Sequence, residues 1–99
     1  MNKYAIVMDM SSNENHRRKK KKIYETLKNN PKNVRFTDLC KAAELFGFKC
    51  RVGRGSHVVY VKDGIREILV FQNVSGKAKP YQVKQFLKIV ERYNLLEDE

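Results

Sequence analysis

The sequence predicts an α+β protein, a three-stranded antiparallel sheet with helices packed on one face. Three observations point there. Apolar residues recur at helical spacing up to Phe46, the period drops to two between Phe48 and Phe71, and helical spacing returns after Pro80. Gly53-Arg54-Gly55 and Asp63-Gly64 interrupt the alternating stretch where hairpin turns belong. The 99 residues suffice for one hydrophobic core and leave no room for a second independent domain.

Taken in chain order, residues 3–10 (KYAIVMDM) are short and apolar and are followed by Ser11-Ser12-Asn13-Glu14-Asn15. This reads as a strand or ordered arm and then a linker over residues 1–15, with the folded domain at 16–99. A first helix is expected near 16–29. Ile23, Tyr24 and Leu27 share a face there, and Asn29-Asn30-Pro31 closes it, since the residue before a proline is pushed out of the helical region. Thr37 is the expected N-cap of a second helix at about 37–46, in which Leu39, Ala42, Ala43 and Phe46 form one face and Gly47 supplies a left-handed stop.

The strands follow from alternation. Phe48, Cys50 and Val52 alternate with Lys49 and Arg51, and Val58-Val59-Tyr60-Val61 is β-branched and aromatic. Asp63-Gly64 suits a hairpin turn, with Glu67-Ile68-Leu69-Val70-Phe71 as the returning strand and Asn73–Lys79 as a loop. Pro80 fits the first turn of a last helix, where a missing N–H costs nothing, and Val83, Phe86, Leu87, Val90 and Tyr93 make its apolar stripe.

Lys and Arg number 21 against 11 Asp and Glu, a net charge of +10. The excess is spread along the chain: residues 1–22 hold seven basic and two acidic side chains, and the remainder holds fourteen and nine. Such a surface suits a polyanion, whether nucleic acid or an acidic protein, and also serves solubility. Cys40 and Cys50 form no C-x-x-C pair and lie near no histidine at ligand spacing, so no zinc or other metal site and no cofactor is expected, and both read as reduced, partly buried thiols. No stretch reaches the ~20 apolar residues of a membrane span, and no signal peptide is evident, so a cytoplasmic protein without membrane contact is expected.

The sharpest local feature is Gly53-Arg54-Gly55-Ser56-His57, two glycines just before a histidine at the start of a strand. Imidazole is the side chain suited to proton transfer near neutral pH, and RNA carries its own nucleophile in the 2′-hydroxyl. The same histidine also fits a purely structural role at a strand end. Arg51 and Arg54 can offer guanidinium donors to a phosphate, and Lys77 and Lys79 flank the mouth of the last helix, where free N–H groups favour an anion. Tyr60 and Tyr81 are candidates either for stacking on a base or for half-buried packing.

The run Arg17-Arg18-Lys19-Lys20-Lys21-Lys22 reads as lying at or near a helix N-terminus, where positive charge is unfavourable unless a phosphate backbone compensates. His16 beside it reads as exposed and without a role. Paired carboxylates at catalytic spacing, a Ser-His-Asp arrangement and a P-loop are all missing, which argues against familiar hydrolase and nucleotide chemistries.

Lys49 through Tyr60, centred on Gly55-Ser56-His57 and preceded by Gly47-Phe48, resembles the signature of the HicA toxins. The order of elements is similar, and Gly76-Lys77-Ala78-Lys79-Pro80-Tyr81-Gln82-Val83 looks like a segment found in one branch of that family. The likeness covers roughly residues 17–95. It implies a fold similar to a double-stranded RNA-binding domain, messenger RNA cleavage without a metal, and neutralisation by a HicB-type antitoxin, with no DNA contact by the chain itself. His57 would be the catalytic residue, acting as general base and acid, and Arg51, Arg54, Gly55, Ser56, Lys77 and Lys79 would contact RNA. Two departures stand out. Many members carry a second histidine directly after the first, where Val58 stands here, and many carry one after the third strand, where Gln72-Asn73 stand. The competing readings are a non-catalytic RNA-binding module of the same fold, and an interaction protein that meets an acidic antitoxin-like partner.

Overall fold

The computed structural model describes residues 3–97, with side chains from Asn15 to Glu97. The first two residues of the expected arm and the last two of the expected domain lie outside the described residues. Three helices and four strands follow one another as α1 (Lys3–Asn29), α2 (Phe36–Leu45), β1 (Lys49–Arg54), β2 (His57–Val61), β3 (Leu69–Val74), β4 (Lys77–Ala78) and α3 (Pro80–Arg92). The strands form a single antiparallel meander in the order β1-β2-β3-β4.

The α+β class is as the sequence predicts, and the sheet has four strands instead of three. The extra strand lies in the stretch read as a loop. Val74 pairs with Lys77, and the two residues between them, Ser75 (φ 51°) and Gly76 (φ 87°), both take the left-handed conformation that a two-residue hairpin turn requires. β4 is short, yet its outer edge is covered: the Ala78 N–H donates to the Val34 carbonyl at 2.9 Å, and the Phe36 N–H donates to the Gly76 carbonyl at 2.9 Å.

That pairing also sets where α2 begins. Arg35, in an extended conformation, occupies the N-cap position expected for Thr37, and no side chain caps the helix. The start is fixed by backbone bonding to β4 rather than by a threonine hydroxyl. At the other end the Gly47 N–H donates to the Glu44 carbonyl and the Phe48 N–H to Ala43, closing the helix at the expected glycine.

Two further expectations change. Residues 3–10 are helical rather than a strand, and α1 runs on without a break through the polar stretch that follows. No Gly or Pro stands between Lys3 and Asn29, and Ser and Asn weaken a helix by only a few tenths of a kcal/mol each. The basic run Arg17–Lys22 therefore sits mid-helix, not at an N-terminus. β3 begins at Leu69 instead of Glu67 and runs on to Val74, because Glu67 is drawn to the end of α3, where it accepts from Arg92 and from the Tyr93 hydroxyl.

α2 and α3 pack on one face of the sheet, and α1 rests on both of them. Phe86 of α3 is the hub. Its ring meets Phe46 edge-on at 5.5 Å between centroids, Phe48 at 6.2 Å and Phe71 of β3 at 6.3 Å, joining both helices and the sheet in one core. Leu39, Leu69, Val83 and Val90 are fully enclosed around these rings.

Candidate functional site

The turn that carries the site is short. Arg54 of β1 pairs with His57 of β2, so Gly55-Ser56 is a two-residue hairpin loop, and Gly55 has φ +61°, a conformation that glycine takes without the steric penalty of a Cβ. Side chains alternate along β2. Tyr60 is buried and Val58 packs against the core, so His57 and Val59 point to the face that no helix covers.

Register extends this face across the sheet. His57 pairs with Arg54 on one side and with Gln72 on the other, and directly opposed residues share a face. Arg54, His57 and Gln72 thus form one row. The Ser56 carbonyl accepts from the Asn73 N–H at 2.7 Å, which fastens the turn to β3, and Ser56 Oγ lies 3.5 Å from His57 Nδ1. Below that row lies a second, Val52, Val59 and Val70, also in register. Val52 is 53% exposed and Val70 is 39% exposed, so an apolar strip adjoins the histidine on an otherwise basic molecule.

Of the residues singled out from the sequence, Arg54, Gly55, Ser56 and His57 are brought together and are all exposed. Arg51 is exposed on the edge strand at the register shift between Cys50 and Val52. Lys77 and Lys79 lie elsewhere. Lys77 stands on β4, with all of β3 between it and His57, and its ammonium donates to Asn33 Oδ1. The Lys79 ammonium sits 5.9 Å above the Tyr81 ring, and Tyr81 is exposed, whereas Tyr60 is buried in the core. His16 is exposed, as expected. Both cysteines are free, but Cys50 is exposed rather than partly buried, because β1 is an edge strand.

Two residues gain meaning only from the fold. Gln82 is buried, and its Oε1 accepts from the Gln72 N–H at 2.8 Å, so the first turn of α3 holds β3 where it faces His57. A polar residue within an apolar helical stripe is the faint signal that points to it. Gln72 itself becomes a neighbour of His57 through strand pairing, which no local pattern reveals. Among the described residues, no group of three or more His, Cys, Asp or Glu side chains is placed to hold a metal ion, and no helix is long and apolar enough to cross a membrane.

The family model for the HicA toxin of bacterial toxin-antitoxin systems matches residues 36–91, more than half of the chain. The chain belongs to the HicA toxin family. No curated protein and no solved structure matched it. The matched segment of this HicA toxin runs from the start of α2 to near the end of α3 and contains the whole Arg54-His57-Gln72 row; α1 lies before it. HicA membership makes the chain the toxin of a toxin-antitoxin pair and implies a cognate antitoxin.

Proposed function

We propose that this HicA toxin is a metal-independent endoribonuclease that cleaves messenger RNA, with His57 as general base and then acid. The observation that carries the reading is an exposed histidine beside an arginine on the uncovered face of the sheet, within the segment that matches the toxin family. Neutral His57 takes the proton of a 2′-hydroxyl, the resulting oxygen attacks the adjacent phosphorus, and Arg54 faces the charge that builds on the phosphoryl oxygens. The imidazolium then returns its proton to the departing 5′-oxygen. Gly55 and Ser56 let the RNA backbone approach closely, and Arg51 extends the basic edge. Lys77 and Lys79, on the far side of β3, serve more distant phosphates. The one-sided placement of helices on an antiparallel sheet supports a kinship with double-stranded RNA-binding domains.

The partner in this reading is a HicB-type antitoxin that covers His57. The row of Val52, Val59 and Val70 beside the histidine supports such a cover, since an apolar strip ringed by cations suits a protein surface with apolar anchors and acidic flanks. A second reading, an RNA-binding module without turnover, is favoured by one observation: Val58 points toward the core and Gln72-Asn73 carry no titrating group, so His57 has no second imidazole beside it.

The test is incubation of the purified protein with labelled structured RNA in EDTA, beside His57→Ala. Cleavage by the wild type alone, with matched unfolding temperatures, is the expected result, with a loss of about 100-fold or more in the variant. Salt-sensitive binding with no cleavage by either protein would establish the second reading instead.

A further inference from the structure

The basic run of α1 lies outside the segment that matches the toxin family, and the site around His57 does not use it. Its orientation is set by three inward residues at i, i+4 and i+7. Lys20 is buried, with its ammonium 3.5 Å from the Leu95 carbonyl and 5.7 Å from the centre of the Phe46 ring; Tyr24 donates to Glu91; and Leu27 is enclosed in the core. At about 100° per residue, Lys22 then points away from the body and Lys19 and Lys21 fan out on either side of it. All three are exposed, and between residues 15 and 29 the only acidic side chain is Glu25.

A helix gains nothing from this arrangement for its own sake. Lys19 and Lys22 are three apart and neighbours on the surface, and like charges so placed disfavour a helix by a few tenths of a kcal/mol per pair. The packed stripe of Tyr24 and Leu27 keeps the helix folded in spite of them. The charge is also laid out for a particular kind of surface. Among the described residues, none of the exposed large apolar side chains is on α1, so the fan lacks the buried anchor around which protein interfaces form. A helix lying on a membrane needs a free apolar face, and between Asn15 and Asn29 the apolar side chains of α1, Ile23, Tyr24 and Leu27, are packed in or against the core. Phosphates in a row ask only for charge.

We propose that the outward face of α1 is a second RNA-binding surface, in which Lys19, Lys21 and Lys22 grip the phosphate backbone of a double-stranded RNA segment. It is separate from the His57 site: α1 rests on α2 and α3, those helices cover one face of the sheet, and His57 looks out from the other. A helix layer and the sheet, each about 10 Å deep, lie between the two surfaces, so a stem held on α1 stays clear of His57. The toxin thereby tethers itself to a folded RNA while the catalytic face meets another, unpaired segment.

The experiment uses the full chain with His57→Ala, so that no RNA is cut, and titrates an RNA hairpin over a series of salt concentrations. Against it stand two triple variants of equal charge, Lys19→Gln/Lys21→Gln/Lys22→Gln on α1 and Lys41→Gln/Lys84→Gln/Lys88→Gln on exposed positions of α2 and α3. The expected result is a fall of about 10-fold or more in affinity for the α1 variant only, with a slope of log K against log salt flatter by about 2 to 3, close to one unit for each phosphate that is no longer neutralised. Equal falls in both variants would reduce the effect to net charge and overturn the proposal. So would an unchanged slope in the α1 variant, or retention of RNA binding with loss of binding to polyglutamate or to anionic phosphatidylserine vesicles. Absence of cleavage by the wild type would sink the nuclease reading and leave this one standing, whereas an unchanged slope does the reverse.

Discussion

His57 and Gln72 face each other across the β2–β3 ladder, and the bond from the Asn73 N–H to the Ser56 carbonyl makes theirs the pair type without mutual hydrogen bonds. In such pairs the Cα atoms stand about 4.5 Å apart and the side chains are close. Position 72 is therefore where a second proton-transfer group would sit if the fold carried one. Gln72→His is expected to raise RNA cleavage by about 10-fold or more over the wild type, measured as a single-turnover rate in EDTA, because an acid and a base would then act together. A rate no higher than the wild type's, in a folded protein, would show that His57 works with another partner.

The apolar row beside the histidine gives a prediction that separates the antitoxin from the RNA. Val70 is exposed, so Val70→Glu should change folding stability by no more than about 0.5 kcal/mol in urea unfolding. On a surface met by apolar anchors it should weaken the cognate antitoxin by about 10-fold or more in a titration calorimeter. An antitoxin that bound Val70→Glu as tightly as the wild type would have to dock elsewhere.

Three phenols share one design. The Tyr24 hydroxyl donates to Glu91, Tyr60 to Glu44 at 2.7 Å and Tyr93 to Glu67 at 2.5 Å. All three titrate above the ordinary tyrosine value: Tyr24 and Tyr93 mainly through the bond to a carboxylate, and Tyr60 mainly through burial and then through its bond to Glu44. A group whose pKa is raised on folding gives stability that is whole below its unfolded value and is lost as pH climbs toward the folded one. Stability should thus decline as pH rises past about 10, and the decline should be shallower in Tyr60→Phe. Glu67 runs the other way. The bond from Tyr93, and less strongly Arg92, lowers its pKa, so its contribution is present above the ordinary carboxylate range and fades as pH falls through the lowered value. Urea midpoints across the alkaline and acid limbs check both signs, and a flat alkaline limb would contradict the first.

Phe86 joins three elements by ring contacts and is fully enclosed. Phe86→Ala should cost about 3 to 5 kcal/mol, much of the ~5 to 15 kcal/mol that a small domain has. Lys84→Ala, earlier on the same helix and exposed, should stay within about 0.5 kcal/mol. Chemical unfolding of the pair measures the contrast, and similar destabilisation in both would mean that the core is centred elsewhere.

What the sequence determined by itself were the features written into neighbouring residues. α3 from Pro80, the Gly47 stop, a turn near Gly55 and the inward Leu39, Ala42, Ala43, Phe46, Val83, Phe86 and Val90 all follow from period, proline and glycine, which act within a few residues, while strand pairing narrowed that turn to Gly55-Ser56. The glycine-flanked histidine at the start of a strand was legible for the same reason, and strand pairing set Arg54 beside it. Tertiary structure decided what depends on distant chain. β4 exists because Ser75-Gly76 turns the chain back and residues 34–36 cover the new edge, and that same pairing puts the start of α2 after Arg35 instead of at Thr37. Gln72 meets His57 only through strand register, and Lys77 turns to Asn33, far along the chain. Hydrogen bonds between residues tens of positions apart leave no period in the sequence, so only the folded chain shows them.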